Sequence, residues 1–113
     1  MDISFYNQLI DLSLYHQSIA GQYTNHVLST VNNHVIRIAV MTEDFYWHYH
    51  PNSDETFIVP DGTLLLDLET GTVELDKGQM FTVQANTHHR TRPKGVRSVN
   101  LTFELADMET IKL

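Results

Sequence analysis

The chain has 113 residues and a mass of 13.0 kDa, enough for one domain, and 42% hydrophobic residues are enough for a real core. Its 7 Lys plus Arg against 14 Asp plus Glu give a net charge of −7, which argues against a nucleic-acid partner or an anionic membrane surface. The absence of cysteine excludes disulfides, thiolate zinc sites, iron–sulfur clusters and cysteine nucleophiles.

The N-terminus carries Asp2 where a secretory signal would carry Lys or Arg, so a cytoplasmic protein is expected. No run approaches the roughly 20 apolar residues of a membrane span. Over 3–20, Ile3, Tyr6, Ile10 and Leu14 recur at helical spacing, as do Phe5, Leu9 and Leu12, and Asp2 could cap such a helix. The spacing predicts a short helix or irregular arm over 1–22 that packs on a barrel formed by 23–113, with an early strand as the alternative. Asn32-Asn33 can supply the two positive-φ positions of a tight hairpin turn. Further turn signals follow at Glu43-Asp44, Pro51 to Asp54, Pro60-Asp61-Gly62, Glu69-Thr70-Gly71, Asp76-Lys77-Gly78, Ala85-Asn86-Thr87 and Pro93-Lys94-Gly95. Between them lie runs rich in Val, Ile, Leu, Thr, Phe and Tyr at 34–41, 45–50, 55–59, 63–68, 72–75, 79–83 and 96–105. Short strands with turns every ~8–12 residues predict an all-β antiparallel sandwich or barrel.

The segment with most chemistry is 45–62. Side chains on a strand alternate faces, so His48 and His50 share one side, and their Cα atoms lie ~6–7 Å apart. Two imidazoles so placed can reach one metal ion. Glu55 opens the next strand with the parity of Phe57 and Val59, and offers a hard oxygen ligand to the same interior. A further ligand is expected from His88 or His89, just after the strand at 79–83.

His48-x-His50, four residues, Glu55, six residues, Gly62 resembles the first motif of the cupins. Gly78, five residues, then Gln84-Ala85-Asn86-Thr87-His88-His89 is similar to the second. The motifs span about 42 through 93. The resemblance implies an antiparallel jelly-roll barrel with a metal inside. Carried over position by position, it makes His48, His50, Glu55 and His89 the ligands of one divalent transition metal: Fe, Mn, Ni, Zn, Co or Cu. His88 then points away. The chain departs from the family pattern at Thr42, Gln84, Asn86 and Pro93, none of which is a ligand, and Asn86 tolerates the left-handed backbone the turn requires.

Other residues complete the expectation. Tyr46 shares the histidine parity and is the candidate for proton transfer; Phe57, Val59, Met80 and Thr82 line the cavity if their parity holds. Phe45, Trp47 and Tyr49 form a packing face on the other side. Arg37 either anchors an anion inside the barrel or emerges at its open side. Arg90, Arg92, Lys94 and Arg97 form a basic run after His89, read either as a rim that attracts an anionic substrate or as a solvated strand and turn. Of these, Arg37, Arg90 and Arg92 are the candidate substrate-binding residues. His16, His26 and His34 are read as surface or turn histidines.

Three functions fit: a metal-dependent isomerase, epimerase or dioxygenase of a small molecule, a non-catalytic module that binds or senses a small ligand, and a metal-free structural dimer. No acid or base beyond the ligands stands out in the sequence, which motivates the second. A homodimer is expected from the aromatic strand faces and the apolar arm.

Overall fold

Strand β1 (Thr24–Val31) turns directly into β2 (His34–Met41), with Val31 paired to His34 across the turn. This is a computed structural model, and it describes residues 6–19 and 23–113. Asn32 takes the positive φ of the turn, 55°, and Asn33 does not, so one left-handed residue suffices where two were expected. The run 24–31 escapes the sequence reading because Asn25, His26 and Ser29 interrupt its apolar alternation. After β2 come β3 (His48–Tyr49), β4 (Glu55–Asp61), β5 (Leu64–Leu68), β6 (Gly71–Leu75), β7 (Met80–Val83), β8 (His89–Pro93), β9 (Ser98–Leu105) and β10 (Ile111–Lys112). The predicted strand at 45–50 contracts to β3, and β8 falls within the predicted basic run.

The strands form two antiparallel five-stranded sheets, ordered β1-β2-β9-β4-β7 and β10-β3-β8-β5-β6. The chain changes sheet between β2 and β3 and again between β3 and β4, β4 and β5, β6 and β7, β7 and β8, β8 and β9, and β9 and β10. This is the jelly-roll arrangement that the sequence predicts. Part of the space between the sheets is filled by Ala39, Met41, Phe57, Val59, Leu64, Leu66, Leu75 and Val83. Burying a side chain the size of leucine or phenylalanine contributes roughly 1.5–3 kcal/mol, so this cluster anchors one end of the sandwich.

Strand β9 reverses the usual sidedness. Val99 and Leu101 belong to a second apolar cluster with Leu28, Ile38 and Val40, on the outer face of the β1-β2-β9 sheet. The alternate residues Asn100, Thr102 and Glu104 therefore point between the sheets, where they are buried. The outer cluster needs a cover, and helix α1 (Leu12–Gln17) supplies it through Leu12, Tyr15 and nearby Ile19. Asp11 caps α1 by accepting from the Leu14 amide at 3.2 Å. Arg97 fixes its other end, donating from Nη2 to the His16 carbonyl at 2.7 Å and from Nη1 to His16 Nδ1 at 3.2 Å.

Within the N-terminal segment the helical stretch is short. Asp2, Ile3 and Phe5 lie outside the described residues; Tyr6 through Ile10 are not helical, and the helix is the short piece capped by Asp11. Leu9 and Leu14 of the predicted apolar stripes are exposed. His16, expected at the surface, is buried between Arg97 and Asp61. His26 receives the Tyr15 hydroxyl at 2.6 Å, and His34 is exposed as expected.

Candidate metal centre

His48 lies on β3 and His89 pairs with it across the ladder on β8, so their rings sit 4.4 Å apart at the centroids. His50 follows β3 directly, and Glu55 begins β4 on the opposite sheet. One ligand atom from each of the four lies within 4.8 Å of every other, and all four side chains are buried. The Glu55 carboxylate oxygen Oε1 is 3.2 Å from His50 Nε2 and 3.3 Å from His89 Nε2. The sequence pattern and the fold thus bring the same four residues to one point.

Each imidazole is oriented from behind. The Nδ1–H of His48 donates to the Tyr46 carbonyl at 2.8 Å, that of His89 to the Thr87 carbonyl at 2.8 Å, and that of His50 to the Glu109 carbonyl at 2.9 Å. With Nδ1 protonated and engaged, the Nε2 lone pair of each ring is free to coordinate. His50 Nε2 is buried without a hydrogen-bond partner among the described residues. A buried nitrogen so placed, facing two more imidazoles and a carboxylate, fits a transition metal. The turn after β7 supports this: Asn86 takes φ 67°, its amide donates to the His50 carbonyl at 2.9 Å, and the next residue supplies the carbonyl that orients His89.

Electrostatics keep the centre ready for a cation. Burial pushes His48 down to about 4, so its ring is neutral at physiological pH. For His50, burial acts in the same direction, but the Glu55 carboxylate and the Glu109 carbonyl outweigh it and raise the value. Burial works against ionised Glu55 too, but the adjacent His50 and His89 imidazoles overcome it, holding the carboxyl below its usual range.

His48, His50 and Glu55 line a cavity of about 380 Å³ between the sheets, with His89 buried behind them. Phe45, Tyr46 and Phe57 line it near the histidines, and Arg37, Asn100, Thr102 and Glu104 line it from β2 and β9. Tyr46 therefore reaches the cavity, through its ring as well as through the carbonyl that orients His48. Arg37 also reaches it, with Nε 3.3 Å from Glu104 Oε2. Thr56 pairs with Phe103, which sets Glu55 and Glu104 side by side on the inner face of neighbouring strands. Burial and the Glu55 charge raise Glu104 to about 7. Glu104 is the residue that sequence reading misses, because an alternation of Asn, Thr and Glu looks like a solvated strand face.

Several expectations are redirected. Thr91 lines the cavity, while Arg90 and Arg92 leave β8 on the other side and do not line it. Both donate from Nε to Asp67 Oδ2 at 2.8 Å, and Arg90 also lies over the Trp47 ring. Met80 and Thr82 do not line the cavity either, because Phe81 is the β7 residue that pairs with inward Phe57. Residues 45–47 are not strand, so Phe45 escapes the predicted alternation and stacks on Tyr23 and Tyr46 within the cavity. His88 turns away towards Tyr49 and Glu69.

Comparison with known proteins agrees with this arrangement. A family model described as "Cupin domain" matches residues 34–103. The chain is a cupin. Across 94 residues it is 42% identical to the uncharacterized protein YdbB of Bacillus subtilis (strain 168), covering 82% of each chain. Among solved structures, this cupin superposes with a TM-score of 0.79 on a cupin-2 domain containing protein of Shewanella frigidimarina, at 22% identity, covering 86% of this chain and 94% of that one. It is also similar in fold to the DMSP lyase DddQ of Ruegeria pomeroyi, with a TM-score of 0.68 and 16% identity, covering 81% of this chain and 51% of that one. The likeness to these two structures is one of fold.

Proposed function

We propose that this cupin is a metal-dependent enzyme acting on a small molecule, in which His48, His50, Glu55 and His89 hold one divalent transition metal. The observation that carries the reading is the convergence of three imidazoles, each anchored through Nδ1, on one buried carboxylate beside a cavity. A metal held by such a set supplies Lewis-acid chemistry of the isomerase or epimerase type, or dioxygenase-type chemistry if it is redox-active. A solved neighbour that is a lyase supports the fold's capacity for enzyme work without naming the reaction here.

In this reading the chain's own groups divide the work. The backbone carbonyls behind the rings fix the Nδ1–H tautomer and aim the imidazoles. Glu55 balances positive charge. Tyr46, which lines the cavity and is partly exposed, is the proposed proton-transfer residue. Arg37 is the proposed contact for an anionic group. The positions of Arg90 and Arg92 favour a structural role for them over substrate contact. Glu104 provides a second carboxyl group in the cavity, the kind of acid–base partner whose apparent absence motivated a non-catalytic binding module. It therefore favours the enzyme. A homodimer belongs to the same proposal, and mass measurement in solution tests it.

The test is elemental mass spectrometry on protein purified without a histidine tag, beside the His50→Ala variant. We expect close to one metal per wild-type chain and near-complete loss in the variant. A wild type that takes up no metal after reconstitution overturns the proposal.

A further inference from the structure

The cavity wall that faces His48 and His50 carries buried hydrogen-bonding groups whose bonding capacity is not filled. Among the described residues, the Oε1 of Glu104, the Oδ1 of Asn100 and the Oγ1 of Thr102 are buried without a hydrogen-bond partner, and Glu104 Oε2 has the Arg37 Nε at 3.3 Å. Glu104, Asn100 and Thr102 are 2%, 2% and 5% exposed and sit at alternate positions of one strand, all lining the same cavity. Leaving such atoms buried and unpaired is costly, so the wall is built to meet a partner. The Asn100 carbonyl is an acceptor and needs a donor, ionised Glu104 can accept beyond its pair with Arg37, and Thr102 can act either way.

The donor can be narrowed. An aliphatic ligand would cover these atoms without pairing them. An ammonium group would donate, but it would be repelled by Arg37, whose guanidinium lies on the same wall beside Glu104. Separate hydroxyl groups donate to Glu104 and to Asn100, accept from Arg37 or Thr102, and bring no charge. We propose that the substrate of this site is a small polyhydroxylated molecule whose hydroxyl groups are read by Asn100, Thr102 and Glu104 on β9. The proposal rests on the reading of the cavity as the substrate site of a metal enzyme and adds the class of molecule it takes. Glu104, Asn100 and Thr102 act as specificity residues for hydroxyl groups, opposite His48 and His50.

The experiment is isothermal titration of the manganese-loaded protein with three six-carbon monocarboxylates: gluconate, hexanoate and 6-aminohexanoate. Gluconate should bind at least about tenfold more tightly than either of the others. The gap should shrink in Glu104→Gln and in Thr102→Val, the second of which keeps the side-chain shape. Metal per chain, measured on the same samples, should be unchanged in both. Equal binding of gluconate and hexanoate overturns the proposal, as does a preference for 6-aminohexanoate. A gap that persists in both variants also overturns it, because the hydroxyl groups are then read at the metal. Should the wild type hold no metal, the same titration is run on the metal-free chain. A gluconate preference lost in both variants there sustains the proposal while the metal reading fails, and no preference overturns it.

Discussion

At Gly62 the backbone alone explains the residue. Its φ is +76°, and a Cβ built there would lie 2.8 Å from the Arg97 carbonyl oxygen. Both the left-handed conformation and the overlap oppose any side chain, so Gly62→Ala should destabilise the fold by roughly 2–4 kcal/mol in urea titration. An unchanged midpoint would show that the turn after β4 yields freely. The glycine of the first motif is thus legible in the sequence for a reason that has nothing to do with metal. The histidines are legible for a different reason: a strand period of two puts His48 and His50 on one side wherever the strand runs, and Glu55 follows at a spacing that one turn can close. Glu104 was not legible. Its alternation with Phe103 and Leu105 is the pattern of a half-exposed strand, and only the position of α1 over the apolar side reveals which face is inside.

Among elements, β8 shows how far a local reading carries. The basic run was visible, but not its partner, because Asp67 lies on β5 and only the register Asp67↔Arg90 brings them together. Arg92 holds the Asp67 carboxyl well below its ordinary value of 3.8, with help from Thr72 and Arg90. A carboxyl whose folded value is depressed stabilises the fold above its unfolded value, and that contribution is lost as pH falls through the folded one. Asp67→Asn should therefore lower the urea midpoint by a constant amount above about pH 5, and the difference from wild type should narrow as pH falls below about 4. A difference that stays constant into strong acid would mean that charge at Asp67 is irrelevant to stability. The same dependence on register explains the elements that were misjudged. Polar β1 earns its place as the partner of β2, and the aromatic run before β3 leaves the ladder, with the Phe45 amide donating instead to the Thr91 carbonyl at 2.9 Å.

For the molecule as a whole, the two sheets divide their duties: one supplies the three histidines, the other supplies Glu55 and the polar wall, and the site exists only where they face each other. The helix on the outer face is tied to this assembly by Arg97, which caps carbonyls at its C-terminal end. Arg97→Ala should speed limited proteolysis within 12–19 several-fold while metal content stays the same. Unaltered cleavage would show that the contacts of Leu12, Tyr15 and Ile19 suffice to hold the helix. The fold class was readable from turns and alternation, whereas the pairing of sheets across the cavity depends on contacts between distant parts of the chain. One of these contacts reaches past the last long strand. The carbonyl that steers His50 belongs to Glu109, 59 residues further on, and the Leu113 amide returns to the Trp47 carbonyl at 3.0 Å. The closing segment thus acts as a splint for a ligand it does not supply. Shortening or re-spacing 106–110 would be felt first as weaker grip on the ion, in a protein whose strands remain intact and whose four coordinating side chains are all still in place.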